Sequence, residues 1–218
     1  MRMLNLLFAT GVLVAAVPMA ASATVYSLNQ GLCTGGCGTS PFGTVTVQSA
    51  GMDTISIDVT LLNGNKFVNT GAGTALLFDL IGNPTITISS LTSGFSAGQT
   101  AHGAALIHAD GSGHWEYSID CSLCGSGGSG PQPGPLDFDV TAPGLTPSSF
   151  VANDNGFFFA SDIIGTNGNT GDVVSSGVCT LNCGTDTVPE PGSLMMLGLA
   201  ALGLALIHRR RAISTPRL

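Results

Sequence analysis

Apolar residues alternate with polar and acidic ones at period two along much of this chain, and that pattern limits its fold more than any other feature. Val45 and Val47, then Ile55, Ile57, Val59 and Leu61, recur at every second position. Trp115, Tyr117, Ile119 and Cys121 do the same, as do Leu136, Phe138 and Val140. Asp58, Glu116, Asp120, Asp137 and Asp139 fill the intervening places, so each segment has one apolar and one acidic side. Successive side chains of an extended strand point to opposite faces, which makes this the pattern of half-buried antiparallel strands. Leu76 to Leu80, Thr85 to Leu91, Phe157 to Ile164 and Val173-Val174 add β-branched or aromatic runs. Asn63-Gly64, Asn83-Pro84, Asp110-Gly111 and Asn155-Gly156 supply turns between them. The expected fold class is all-β, an antiparallel β-sandwich of jelly-roll-like type built from about eight to ten short strands. Trp115 and Tyr117, alternating with Glu116, are expected to share its core-facing side. Ala97 to Ala109 is the one stretch of helical composition, with Gly98 and Gly103 against it. The glycine- and proline-rich loop from Cys124 through Pro135 reads as an exposed connection within a single domain.

The two ends differ from this middle. Met1-Arg2, an apolar run from Leu4 to Val17, and Ala21-Ser22-Ala23 form a secretory signal peptide over residues 1–23. Signal peptidase, recognising Ala21 and Ala23, is expected to leave Thr24 as the new N-terminus. At the other end an uncharged run from Leu194 to Ile207 abuts Arg209, Arg210 and Arg211. At about 1.5 Å per residue that run covers roughly 22 Å of a hydrocarbon core about 30 Å thick. Flanking arginines snorkel to the interface and make up the difference, so a single C-terminal transmembrane helix is expected. The positive-inside rule places the three arginines in the cytoplasm as a stop signal, followed by a tail over residues 212–218. Pro189 and Pro191 keep the segment before the helix extended, because proline removes a backbone donor and biases its predecessor away from helix.

Val188-Pro189-Glu190-Pro191-Gly192-Ser193, the apolar run and the arginine cluster resemble, in that order, the C-terminus of the PEP-CTERM proteins of Gram-negative bacteria. The resemblance covers residues 188–211 and leaves the domain at 24–187 unrecognised. It implies that exosortase, a membrane transpeptidase, recognises Pro189, Glu190 and Pro191 and cuts near them. It further implies that the protein is held in the inner membrane before processing and then reaches the cell surface or extracellular matrix. Proteins of this family accompany exopolysaccharide production, so a structural or adhesive part in biofilm is the expected role, with exopolysaccharide as a partner. No enzymatic activity is expected.

Charge narrows the partners further. All 13 acids of the chain, but of the six bases only Lys66, fall between residues 24 and 190. That segment therefore carries about −12, which argues against nucleic acid and anionic membrane surfaces, both of which need Lys and Arg.

Six cysteines form three local pairs: Cys33 and Cys37, Cys121 and Cys124, Cys179 and Cys183. The outer pairs sit in matching phrases, Gly31 to Thr39 and Gly177 to Thr185. An exported chain with an even cysteine count points to disulfides, with pairing inside each phrase as the default. A zinc site is the weaker reading, because the outer spacing is one residue longer than a C-x2-C knuckle. A redox role for Cys121 and Cys124 lacks the helix that such a motif should open.

Three further patterns could carry chemistry. Gly94-Phe95-Ser96-Ala97-Gly98 matches a nucleophile elbow, with Asp110, His102, His108 and His114 downstream, but no βαβ alternation surrounds it. The three histidines recur at a regular interval that would align them on one strand, and Gly103, Gly111 and Gly113 break that strand. No metal site or cofactor is assigned. Asp154, Asp162, Asn167, Asn169 and Asp172 nevertheless offer oxygen ligands of the kind calcium takes, without EF-hand spacing. A secreted hydrolase and a calcium-dependent glycan-binding module are thus the alternative functions. Trp115 and Tyr117 are the aromatic candidates for glycan contact.

Overall fold

The period-two segments become strands in the computed structural model, which describes residues 23–71, 74–100, 106–109 and 111–178. In chain order the strands are β1 (Thr24–Leu28), β2 (Gln30–Gly31), β3 (Gly43–Gly51), β4 (Thr54–Leu61) and β5 (Lys66–Phe67). Next come β6 (Leu76–Leu80), β7 (Thr87–Ser89), β8 (Phe95–Ala97), β9 (Ile107–Ala109) and β10 (Gly113–Trp115). The series closes with β11 (Tyr117–Cys121), β12 (Leu136–Thr141), β13 (Phe150–Val151), β14 (Phe159–Ile164) and β15 (Thr170–Ser175). A short 3-10 turn, Pro147–Ser149, precedes β13. No helix among the described residues is long and apolar enough to cross a membrane. The expected span Leu194 to Ile207 and residues 1–22 of the expected signal peptide lie outside the described residues.

Pairing is antiparallel throughout both large sheets. The first has the order β1-β3-β4-β12-β7. The second runs β2-β15-β14-β6-β11-β8, with β5 added to β14 and β13 to β6. Turn chemistry sets the register where the sequence indicates it. At Asn63-Gly64 both residues have positive φ, 56° and 77°, and the Asn65 N–H donates to the Leu62 carbonyl at 3.1 Å. Asparagine and glycine tolerate that conformation, which matches the twist of flanking strands.

Val45, Val47, Ile55, Ile57, Val59, Leu136, Phe138 and Val140 of the first sheet join Leu76, Phe78, Ile119, Phe159 and Val173 of the second in one buried cluster. Phe78 sits among four aromatic rings: Tyr117 stacked at 5.4 Å, Phe150 at 5.7 Å, Phe138 at 6.4 Å and Phe159 at 6.5 Å.

The second sheet is apolar on its other face as well. Leu77, Ala160 and Val174 form a separate cluster with Ala109 and Trp115 of the β9–β10 hairpin, and Leu32, Ile107 and Phe157 pack against it. Every residue of β6 is therefore buried, which is why Leu76 to Leu80 reads as a continuous run rather than an alternating one.

Two expectations are corrected. Trp115 and Tyr117 do not share a side: the chain bends at Glu116, so Tyr117 enters the main core while Trp115 fills the outer cluster. Both are completely buried, and neither ring offers a face to a glycan. Ala97 to Ala109 is not a helix at its described ends, since Ala97 closes β8 and Ile107–Ala109 is β9. The β-sheet partners of these short segments override a helical composition opposed by two glycines.

Trp115 is the single tryptophan of the chain, so its fluorescence reports the outer cluster alone. Replacing Phe78 with Ala is expected to cost about 3–5 kcal/mol in a denaturant titration, with Trp115 emission and far-UV dichroism shifting together. Separate transitions would show that the outer cluster melts independently of the main core.

Candidate functional site

The outward face of the second sheet carries acids on both sides of the Trp115 cluster. Register sets the arrangement: Ala160 lies opposite both Leu77 and Val174, and Asp162 lies opposite Asp172. Asp162 and Asp172 thus flank the apolar row at one side, and Asp79, two residues beyond Leu77, flanks it at the other.

Asp162 and Asp172 are both buried. Asp162 accepts from the Thr70 N–H at 2.5 Å and the Thr70 hydroxyl at 2.7 Å. Asp172 accepts from the Ser112 hydroxyl, whose oxygen in turn accepts from Trp115 Nε1–H at 3.2 Å. Burial pushes the Asp162 carboxyl above the usual range, and the hydrogen bonds from Thr70 oppose that shift. The two carboxyls border a cavity of about 210 Å³ with Thr34, Thr70 and Thr170. A neighbouring cavity of about 360 Å³ is lined by Asn69, Gln99, Ser118 and Asp120. The Thr74 hydroxyl donates there to Asp120 at 2.9 Å.

On the far side of Trp115, Asp79 is nearly buried and accepts from the Glu116 N–H at 2.7 Å. Asn83 Nδ2 donates to Glu116 Oε1 at 3.2 Å, while Glu116 Oε2 is buried with no hydrogen-bond partner among the described residues. His114 Nδ1 meets Asp154 Oδ2 at 2.7 Å, and the His114 N–H donates to Asp154 Oδ1 at 3.1 Å. Gly113 makes that approach feasible: its φ is +101°, and a Cβ there would stand 2.6 Å from Asp154 Oδ1. Asp79, Asn83, His114, Glu116, Asn153 and Asp154 line a cavity of about 310 Å³. Burial raises the Asp79 carboxyl to about 6; the bond from Glu116 N–H opposes this, and the charges of Glu116 and Asp154 add to it. Hydrogen bonds from His114 hold Asp154 below the usual carboxylate range.

The remaining sequence candidates fall as follows. Ser96 lies on the edge strand β8 opposite Asp120, in extended conformation, with no strand-to-helix turn at the motif. His108 and His114 face each other across the β9–β10 hairpin with ring centroids 4.8 Å apart, a meeting made by the very turn that interrupts their sequence spacing. His102 and Asp110 lie outside the described residues. Of the five oxygen-bearing residues, Asp162 and Asp172 are buried and border one cavity, Asp154 holds His114, and Asn167 and Asn169 donate to carbonyls of the Cys33–Cys37 loop. No group of three or more His, Cys, Asp or Glu poised to hold a metal occurs among the described residues. Cys33–Cys37 and Cys121–Cys124 are disulfides, with Cα atoms 5.0 Å and 5.3 Å apart. Cys179 and Cys183 lie outside the described residues. Thr24 is the first residue of β1, directly after Ala23. Ala21, Pro189, Glu190, Pro191, Arg209, Arg210 and Arg211 lie outside the described residues.

The sequence marked Asn83 only as part of a turn and singled out neither Asp79 nor Asn153. An acid within the apolar run Leu76 to Leu80, and another within Phe159 to Ile164, was the available signal, because burying a carboxylate demands partners or a retained proton.

The PEP-CTERM protein-sorting motif family matches residues 187–211. The chain carries a PEP-CTERM sorting motif. No curated protein and no solved structure matches the chain. The motif implies export and exosortase-dependent sorting to the cell surface, and the cavities belong to the part of the chain that precedes it.

The raised carboxyls make stability depend on pH in a stated direction. Between the unfolded value near 4 and the folded value of about 6, Asp79 keeps its proton in the folded chain and loses it in the unfolded one. Its contribution is therefore full below pH 4 and lost as pH rises to about 6. Thermal melts are expected to give a higher Tm at pH 4.5 than at pH 7.5. Asp79→Asn should remove much of that difference by stabilising the protein at pH 7.5, by at most about 3 kcal/mol. A variant whose profile runs parallel to the parent would remove Asp79 as the cause.

Proposed function

We propose that the chain is a non-enzymatic surface or extracellular-matrix protein that exosortase sorts and processes, with a structural or adhesive part in exopolysaccharide or biofilm. The observation that carries this reading is the sorting motif at residues 187–211. In this reading signal peptidase releases Thr24, the C-terminal helix holds the chain in the inner membrane with Arg209 to Arg211 inside, and cleavage near Pro189-Glu190-Pro191 frees it. The two sheets act as layers of a jelly-roll-like sandwich, and Cys179 and Cys183 form a third local disulfide in the oxidising compartment. The reading needs no cofactor. Solubility of the released domain follows from its acidic balance, and its resistance to unfolding from the double burial of the second sheet.

Intact mass of the protein from the cell surface, with and without reduction, tests it. A product starting at Thr24 and ending near Pro191 is expected, gaining about six daltons on reduction for three disulfides. Replacing Glu190 and both flanking prolines by alanine should shift the product to the membrane fraction with Leu194 to Leu218 retained. The same retention in the unaltered protein would make it a permanent tail-anchored protein and defeat the proposal.

A further inference from the structure

The β9–β10 hairpin holds two imidazoles side by side. Ala109 and Trp115 are buried in the outer cluster and Ile107 packs against it, which leaves His108 and His114 on the opposite, exposed face. The two histidines are direct cross-strand partners, with ring centroids 4.8 Å apart. Partners in register project to the same face of a sheet, so the backbone of a hairpin anchored by Trp115 sets their spacing. That spacing is the one a shared metal ion requires. An imidazole nitrogen bound about 2.1 Å from a metal puts its ring centre about 3.2 Å from the ion. Two rings at about 90–109° around one ion then have centres about 4.5–5.2 Å apart.

Asp154 supplies an independent observation. Its Oδ2 lies 2.7 Å from His114 Nδ1, and its Oδ1 accepts the His114 backbone N–H at 3.1 Å, so one carboxylate grips both the ring and the main chain. A carboxylate only accepts, so the neutral ring carries its proton on Nδ1 and keeps its lone pair on Nε2. Metal-binding histidines are oriented in this way: the carboxylate fixes the tautomer and raises the basicity of the far nitrogen. Asp154 is thereby committed to His114, and the protein supplies two ligands rather than three. Imidazole nitrogen suits copper and zinc, whereas calcium and magnesium take oxygen. We propose that His108 and His114 form an open two-imidazole site for a divalent transition-metal ion, copper(II) above zinc(II), with Asp154 as its positioning residue. The remaining coordination positions are left to water or to donors on an outside molecule. The inference goes beyond sorting and does not rest on it. A chain that is never cut still has the hairpin, and a cut chain that binds no metal is still a sorted protein.

The full-length chain, purified in detergent without reductant, tests this by titration with copper(II), zinc(II) and calcium at pH 7.5. Trp115 is the residue after His114, so bound copper(II) should quench its emission. Zinc(II) should compete for the site and calcium should not. Pulsed paramagnetic resonance of the copper(II) complex should count two imidazoles. His108→Ala and His114→Ala are each expected to weaken copper(II) binding about tenfold or more and to reduce that count to one. Asp154→Asn should weaken binding about tenfold while the count stays at two, which a merely unfolded hairpin would not do. The chain has four histidines, and His102→Ala combined with His208→Ala leaves only the proposed pair. That double variant should keep both the affinity and the two-imidazole spectrum, and it decides the matter even if a single variant fails to fold, as judged by metal-free Trp115 emission. No copper(II) binding, a single imidazole in the unaltered chain, indifference to His108→Ala and His114→Ala, or loss of the two-imidazole spectrum in the double variant would each overturn the assignment.

Discussion

One lysine stands against 13 acids between residues 24 and 190, and the structure is organised around that shortage of cations. A buried carboxylate must be paired, hydrogen-bonded or protonated. Asp162 takes an amide and a hydroxyl from Thr70, Asp172 a hydroxyl from Ser112, and Asp79 an amide from Glu116. Neutral donors hold a carboxylate less firmly than arginine does. Burial raises the carboxyls of Asp79 and Asp162, and the hydrogen bonds from Glu116 and Thr70 offset that rise only in part. At Glu116 Oε2 a buried acceptor has no donor among the described residues.

The acids sit where they do because the second sheet is covered on both faces. Had the β9–β10 hairpin not folded over Leu77, Ala160 and Val174, the positions of Asp79, Asp162 and Asp172 would face water like those of an ordinary half-buried sheet. Trp115 is the wedge that encloses them. Its indole N–H reaches Ser112, which reaches Asp172, so the apolar cluster and the nearest carboxyl are joined by one chain of hydrogen bonds.

Much of this was legible in the sequence where a single physical rule decided the outcome. The β3, β4 and β12 segments follow strict alternation, and the Asn63-Gly64 turn follows from the conformational tolerance of its two residues. Local cysteine pairing at Cys33–Cys37 and Cys121–Cys124 followed from compartment and spacing. Alternation failed at Trp115, because it assumes one continuous strand and the chain bends at Glu116. The cavities were not legible, because they depend on which strands become neighbours. Nothing local in Asp79 or in Asn153 says that the two meet across a gap of more than 70 residues. The meeting of His108 with His114 needed the hairpin between β9 and β10, which the Asp110-Gly111 turn signal allowed but did not fix.

Val178, the last described residue, pairs with Tyr26 of β1, and Val174 carries Gln30 beside it. One edge of β1 is therefore completed by chain that lies about 150 residues later. A chain that folds from its N-terminus has an open edge there until β15 and Val178 are in place, about ten residues before Pro189. If export runs from the N-terminus, as in the proposed function, that edge closes just before Pro189-Glu190-Pro191 follows. On that reading the order of residues makes translocation its own clock, because β1 to β15 all precede the segment that would be cut.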